Sequence, residues 1–316
     1  MIIEIPDVWT TAEEQHEAYV LKRVSIEMAR ERKKAYASRA LMDFDCFLNA
    51  QLKNIVDSKT RDFSTVIDCF DSIFPDGSRK REDANALASR VFNYEKFRDG
   101  KHNWDAYALY ACSRYFVCPY CHITPVKAAN GSMDFRGDLD HFLPRGEFPY
   151  LSLSLGNLVP ACKDCNFSGA KGTTNPYITP LLNPLKDSNE IVFQLMPKDS
   201  SDPTLVAMRG QKADYELRVI APNGVEAAIN SLTTFTLQAK YEIYLPTAHR
   251  IARLGLTQAW AQSIDKETGI EMDVEESIGF TWDGDEYKNF PQGKMHRDIF
   301  QSSEANAELV AALEKP

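Results

Sequence analysis

Two pairs of thiols, Cys118-x-x-Cys121 and Cys162-x-x-Cys165, stand around and beside a carboxylate, an imidazole and two carboxamides: Asp140, His141, Asn157 and Asn166. Two cysteines separated by two residues can turn both thiolates toward one metal, and two such pairs complete the tetrahedral Cys₄ sphere of a closed zinc site. Such a zinc closes a loop and does no chemistry of its own. The chemistry falls to the polar side chains that the closed loop holds together.

Those side chains suit the hydrolysis of a phosphodiester, which needs a nucleophilic water and a way to neutralise charge on the phosphorane and the departing oxygen. His141 is the natural base, since imidazole alone has an unperturbed pKa near neutrality, and general-base help is worth roughly 10²–10⁴-fold. Asp140 offers a hard anionic oxygen and Asn166 a neutral amide oxygen, a set that suits catalytic Mg²⁺ or Mn²⁺, separate from the zinc. Asn157 is expected to bond either the loop or the His141 ring, orienting the base. A blander alternative is an inactive zinc module that binds nucleic acid or a partner protein, because paired CxxC motifs alone most often build zinc ribbons.

In order the stretch reads CPYC, then GDLDHFLPRGEFP, then SLSLGNLVPACKDCNFSGAKG. On these residues it resembles the HNH endonucleases, the ββα-metal or His-Me finger nucleases, in the subgroup bracketed by two CxxC zinc knuckles. The first His of the motif falls on His141, preceded by Asp140; the middle Asn on Asn157; and the last position on Asn166. Family members commonly place a lysine three residues after that last position, whereas here Lys171 follows by five, with Gly169 between. The resemblance spans about residues 118–172. It implies products with a 5′-phosphate and a 3′-hydroxyl, and it is closest in style to stand-alone HNH proteins of bacterial anti-phage defence and restriction systems. These include the Septu type, in which the nuclease works beside a separate ATPase. A nucleic-acid substrate, DNA foremost, and a partner ATPase are the expected partners, with Arg136, Arg145, Lys163 and Lys171 as candidate phosphate contacts.

The chain has 316 residues, 44% hydrophobic and 26% charged, which is ordinary globular composition with room for several lobes. It contains no apolar run of membrane-spanning length and no signal-peptide pattern at its start, so a cytoplasmic protein is expected. Of the seven cysteines, Cys46, Cys69 and Cys112 lie outside the zinc pairs and are expected as buried thiols in a reducing compartment. The net charge of −9 argues against a surface that coats nucleic acid throughout. Locally the balance differs, because residues 114–172 carry six Lys/Arg against five Asp/Glu. One further segment, from Lys22 to Arg39, is strongly basic and open to two readings, phosphate contact or a solvated helix face. His16, His102, His122, His249 and His296 are expected to be structural, His122 contacting the knuckle without ligating.

The elements that must position these groups make an α+β protein: a zinc-stapled ββα-metal core (residues 111–180) between a helical N-terminal lobe (1–110) and a mixed, mainly helical C-terminal lobe (181–316). Thr10-Thr11-Ala12-Glu13 reads as a capping box, and Leu41, Phe44, Leu48, Leu52 and Ile55 fall at helical spacing. Residues 76–83 read as a turn, with helices expected at 85–97 and 104–117. In the core, strands are expected at 133–141 and 151–160, then a helical turn from Cys162. Beyond it, strands at 191–196 and 215–220 and helices at 225–244 and 247–263 are expected, with Pro246 separating the last two.

Overall fold

The computed structural model describes residues 2–34, 39–99, 103–126, 137–198, 212–268 and 284–313. The protein is mixed α+β, about half helical, and its described residues hold two small antiparallel sheets of two strands each. The chain divides into two compact units, one comprising Ile5–Tyr115 and Val126–Lys186, the other Met1–Glu4, Phe116–Pro125 and Asp187–Pro316.

The first unit carries the polar residues singled out above. Its helix α1 (Glu13–Arg32) buries His16, Val20, Val24, Met28 and Glu31, a stripe at steps of four and, at the last, three residues. The capping box does not form. Ala12 is the N-cap, while the Thr10 hydroxyl donates to the Asp7 carbonyl and that of Thr11 to Cys112, because residues 6–12 already fold as turns. Helix α2 (Arg39–Val56) buries Leu41, Phe44, Leu48 and Ile55 as their spacing requires. Cys46 lies off that stripe and is exposed, and Cys69 and Cys112 are half-buried, so none of the three is the buried thiol expected of it.

Helix α3 (Ser64–Ile73) is followed by α4 (Arg79–Val91), which begins inside the segment read as a turn. Gly77 takes φ +68°, and the Ser78 hydroxyl accepts from the Arg81 amide, so the cap sits six residues earlier than hydrophobic periodicity suggested. Two short helices follow, α5 (Tyr94–Arg98), capped by Asn93, and α6 (Ala106–Ala111), capped by Asp105. Phe47 and Phe70 pack on Tyr150 with ring centroids 5.4 and 4.3 Å away, which brings the helical core against the segment between the strands.

Those strands are β1 (Asp138–His141) and β2 (Leu158–Ala161), paired antiparallel with Asp140 opposite Val159 and His141 opposite Leu158. Helix α7 (Lys163–Asn166), one turn with Cys162 as N-cap, packs on β1. The alternating Ser/Leu run before β2 is not a strand. Pro149–Leu151 and Leu155–Asn157 are 3₁₀ turns, and residues 151–160 are all buried, so the alternation does not separate an inner from an outer face.

In the second unit, β3 (Val192–Pro197) pairs antiparallel with β4 (Tyr215–Ile220), Val192 opposite Ile220, close to expectation. The long helix expected over 225–244 is broken into α8 (Glu226–Thr234) and α9 (Leu237–Glu242), because Thr236 adopts φ +48°. Pro246 starts helix α10 (Leu245–Thr268) as its second residue, where its missing N–H costs nothing. Helix α11 (Gly293–Leu313) packs on α10 so closely that a Cβ at Gly255 would meet the Phe300 carbonyl oxygen at 2.9 Å. Phe193 against Tyr241 and Tyr120 stacked on Phe235 fill the core.

Candidate active site and metal centre

Cys118, Cys121, Cys162 and Cys165 are all buried and reduced, and their sulfurs lie within 4.8 Å of one another. A tetrahedral ion with Zn–S bonds of about 2.3 Å sets its sulfurs roughly 3.8 Å apart, so the cluster could hold a structural zinc. The knuckle backbones are set for it. The His122 amide donates to the Cys118 carbonyl at 2.7 Å with His122 at φ +54°, and the amides of Cys165 and Asn166 both donate to the Cys162 carbonyl. His122 itself is engaged elsewhere, its Nδ1 accepting from the Lys294 amide and its Nε2 bonding the Lys288 carbonyl, and it is not in the thiol cluster.

Three of the four inner residues, Asp140, His141 and Asn166, converge on one cleft of about 720 Å³ in the first unit. Strand period 2 turns Asp138 and Asp140 to the same side of β1, and both line the cleft with His141 and Asn166. Asp138 was not singled out from sequence, although its spacing from Asp140 in a short strand is the signal that could have found it. Its Oδ2 accepts from Asn166 Nδ2 at 3.1 Å, which leaves the amide oxygen of Asn166 as the side that can face a cation.

Asp140 is almost fully buried, and so is Lys171, whose ammonium donates to Asp140 Oδ1 at 3.0 Å and to the His141 carbonyl at 2.8 Å. Lys171 was expected among phosphate contacts and is instead enclosed, its charge met by a carboxylate. It sits in a run of turns, with Gly172 directly after it at φ +48°.

The His141 ring is held by Ser152, whose carbonyl lies 3.0 Å from Nε2. A carbonyl only accepts, so Nε2 carries the proton and Nδ1 is the basic nitrogen. Burial pushes the His141 pKa down to about 4, only partly opposed by the Ser152 bond and the Asp140 charge, so the imidazole is neutral around pH 7. Ser152 in turn donates its hydroxyl to the Phe92 carbonyl at 2.7 Å, at the end of α4, and the Tyr94 ring meets His141 edge-on at 4.5 Å. No sequence signal marked Ser152 or Tyr94 as neighbours of the histidine.

Asn157, fully buried, bonds the loop and not the ring. Its Oδ1 accepts from the Leu143 amide at 2.6 Å, and Nδ2 donates to the carbonyls of Leu143 and Leu151. Of the remaining candidate cations, Arg145 lines the cleft and pairs with Glu95 at 2.5 Å, Lys163 is exposed on α7, and Arg136 lies outside the described residues. The buried His16 is structural, Nε2 bonding the Leu153 carbonyl and Nδ1 accepting from Trp104.

No family model matches the chain, and no solved structure does. Over 51 residues, 16% of its length, it is 41% identical to Septu protein PtuB of Bacillus thuringiensis. Over 55 residues, 17% of its length, it is 40% identical to Protein ea31 of Escherichia phage lambda. The matched stretches cover 19% and 15% of those two proteins' own lengths.

Proposed function

We propose that this chain is a metal-dependent HNH endonuclease that hydrolyses phosphodiester bonds of nucleic acid, DNA foremost, as the effector of a Septu-type anti-phage system working with a partner ATPase in the cytoplasm. The likeness to a Septu protein, though short, supports the defence setting. The observation that carries the nuclease reading is His141, a neutral imidazole with Nε2 fixed on a carbonyl, beside two carboxylates and a carboxamide in one cleft. An inactive zinc module has no use for that arrangement.

On this reading residues 111–180 form the nuclease module. Nδ1 of His141 takes the proton of the attacking water, and the Ser152 carbonyl stabilises the imidazolium that results, while Asn157 holds the loop between His141 and Ser152 in place. Hard oxygens of Asp138, Asp140 and Asn166 would hold Mg²⁺ or Mn²⁺, which supplies Lewis-acid stabilisation of charge at the phosphate when bound. Lys171 fixes the plane of the Asp140 carboxylate and cancels its charge, so the net negative charge that draws a cation comes from Asp138. The chemistry is tested by single-turnover cleavage of plasmid and oligonucleotide DNA and of RNA with Mg²⁺ or Mn²⁺. His141→Ala should retain zinc and nucleic-acid binding while cleavage falls roughly 10²–10⁴-fold, unrescued by added metal. Wild-type rates in that variant would place the active site elsewhere.

A further inference from the structure

The basic run of α1 has a cavity of its own. A second cleft of about 760 Å³ in the first unit is lined by Lys22, Arg23, Arg30 and Lys96, with Glu27 as its single acidic group and Tyr19 and Trp104 among its walls. Several cations here have close carboxylate partners: Arg30 lies 2.8 Å from Glu27, Arg32 2.5 Å from Asp45, and Lys34, just past α1, 2.6 Å from Glu31. Arg23 is different. Among the described residues its side chain is nine-tenths buried, its nearest carboxylate oxygen, on Glu27, is 3.8 Å away, and its guanidinium bonds the neutral Tyr19 hydroxyl, so that no anion meets Nε and Nη2 within hydrogen-bond distance.

A buried guanidinium that no anion meets carries the desolvation cost of its charge until an anionic acceptor arrives. The fork of N–H groups matches two oxygens of a phosphate. Glu27 cannot fill that role, because it is shared among Arg23, Arg30 and Lys96 at 3.8, 2.8 and 3.7 Å. Three cations on one carboxylate, with Lys22 added at the wall, leave the cleft net positive on a chain whose total is −9. Arg30 and Lys96 are more than half exposed and form its rim.

The position of the cleft says which phosphate. Helix α5 presents Tyr94, Glu95 and Arg98 to the cleft that holds His141, and Lys96 to this one. A helix with its side chains is about 10–12 Å across, so α5 forms a wall common to the two clefts. Resting on the nuclease reading above, we infer that the Lys22–Arg23–Arg30–Lys96 cleft is a second phosphate-binding site, which grips the backbone of the nucleic-acid strand beyond the part held at His141. It would place the strand without taking part in bond cleavage.

The test uses the full chain carrying His141→Ala, so that binding is read without turnover, and a fluorescent single-stranded DNA of about 30 nucleotides. Arg23→Gln removes the fork. Lys96→Ala, at an exposed position, serves as the second variant should the first not fold. Each should weaken binding about fivefold or more at moderate salt and reduce the slope of log affinity against log salt by about 0.7, the value for one lost phosphate contact on a single strand. In the cleavage-competent protein each should raise the DNA concentration for half-maximal rate and leave the saturated rate unchanged. Inorganic phosphate and a nucleoside monophosphate form the control arm. If either binds the parent as tightly as the strand and loses that binding with Arg23→Gln, the site serves small phosphates, and the strand-gripping role is overturned. If the His141→Ala parent and both variants bind DNA alike while the protein with His141 intact cleaves it, this inference fails and the nuclease reading stands. A parent that does not bind nucleic acid, together with a His141-intact protein that does not cleave it, ends both.

Discussion

Lys171 brings a full positive charge to a place without water, and that is tolerable only because Asp140 and the His141 carbonyl meet it there. Removing one partner of a buried pair leaves the other uncompensated, a loss of about 3–5 kcal/mol. Lys171→Met should therefore lower the urea midpoint strongly, Asp140→Asn in the same chain should recover much of it, and added Mg²⁺ should stabilise the single variant more than the wild type. A Lys171→Met protein as stable as wild type at any Mg²⁺ concentration would show that the pair anchors nothing. Asp138→Asn belongs to the same test of charge. It keeps an oxygen ligand beside Asn166 but removes the uncompensated negative charge, so the metal concentration for half-maximal cleavage should rise while the rate at saturating metal is largely restored.

At the scale of elements, the site is set up by helices remote from the motif in sequence. The end of α4 receives the Ser152 hydroxyl, α5 supplies Tyr94, and α1 sends His16 to the Leu153 carbonyl at 2.7 Å, so three helices hold the segment whose carbonyl orients the His141 ring. Burial pushes the His16 pKa to about 4 in the folded protein, below the value of about 6.5 that an unfolded chain gives it. The folded state thus binds fewer protons, and the stability of the neutral His16 is full above pH 6.5 and drains away as pH falls toward 4. The difference is about 3 kcal/mol. His16→Gln offers an amide donor to Leu153 and an oxygen to Trp104 without a titration. Urea denaturation at pH 7 and pH 4.5 should show the variant losing less stability on acidification than wild type, and an equal loss would refute the role given to His16.

Across the whole molecule a net charge of −9 is compatible with the proposed function, because the phosphate contacts it calls for are confined to clefts and not spread over the surface. No helix among the described residues is long and apolar enough to cross a membrane. The thiols give the global test. Native protein should purify with about one zinc per chain, and a thiol reagent should meet the exposed Cys46 first while the four clustered cysteines stay protected. Chelation should release the metal, open those four thiols and lower the far-UV helical signal, because metal binding and folding are one equilibrium in a small ligand-closed unit. Folded protein without zinc, its four cysteines still protected, would count against the metal centre.

What the sequence determined by itself was chemistry tied to local spacing. A two-residue gap lets the thiols of each CxxC pair face one ion, as their common cluster requires, and the α2 stripe and β3–β4 pair follow from periods of 3.6 and 2. Asp138 was legible by the same period and was passed over. Where local signals competed with packing, tertiary structure decided. The Ser/Leu alternation before β2 became 3₁₀ turns because both kinds of side chain are buried, and Thr10 and Thr11 spent their hydroxyls on turn carbonyls instead of a cap. The partners of His141 were decided there entirely. Ser152 and Tyr94 reach it through a backbone carbonyl and a ring edge, and Phe92 holds Ser152 through another carbonyl, groups that every residue or many residues possess, and only the approach of distant segments gives them a role. The same holds for Arg23, one cation among many in a basic helix until burial sets it beside the Tyr19 hydroxyl with its nearest carboxylate oxygen 3.8 Å away.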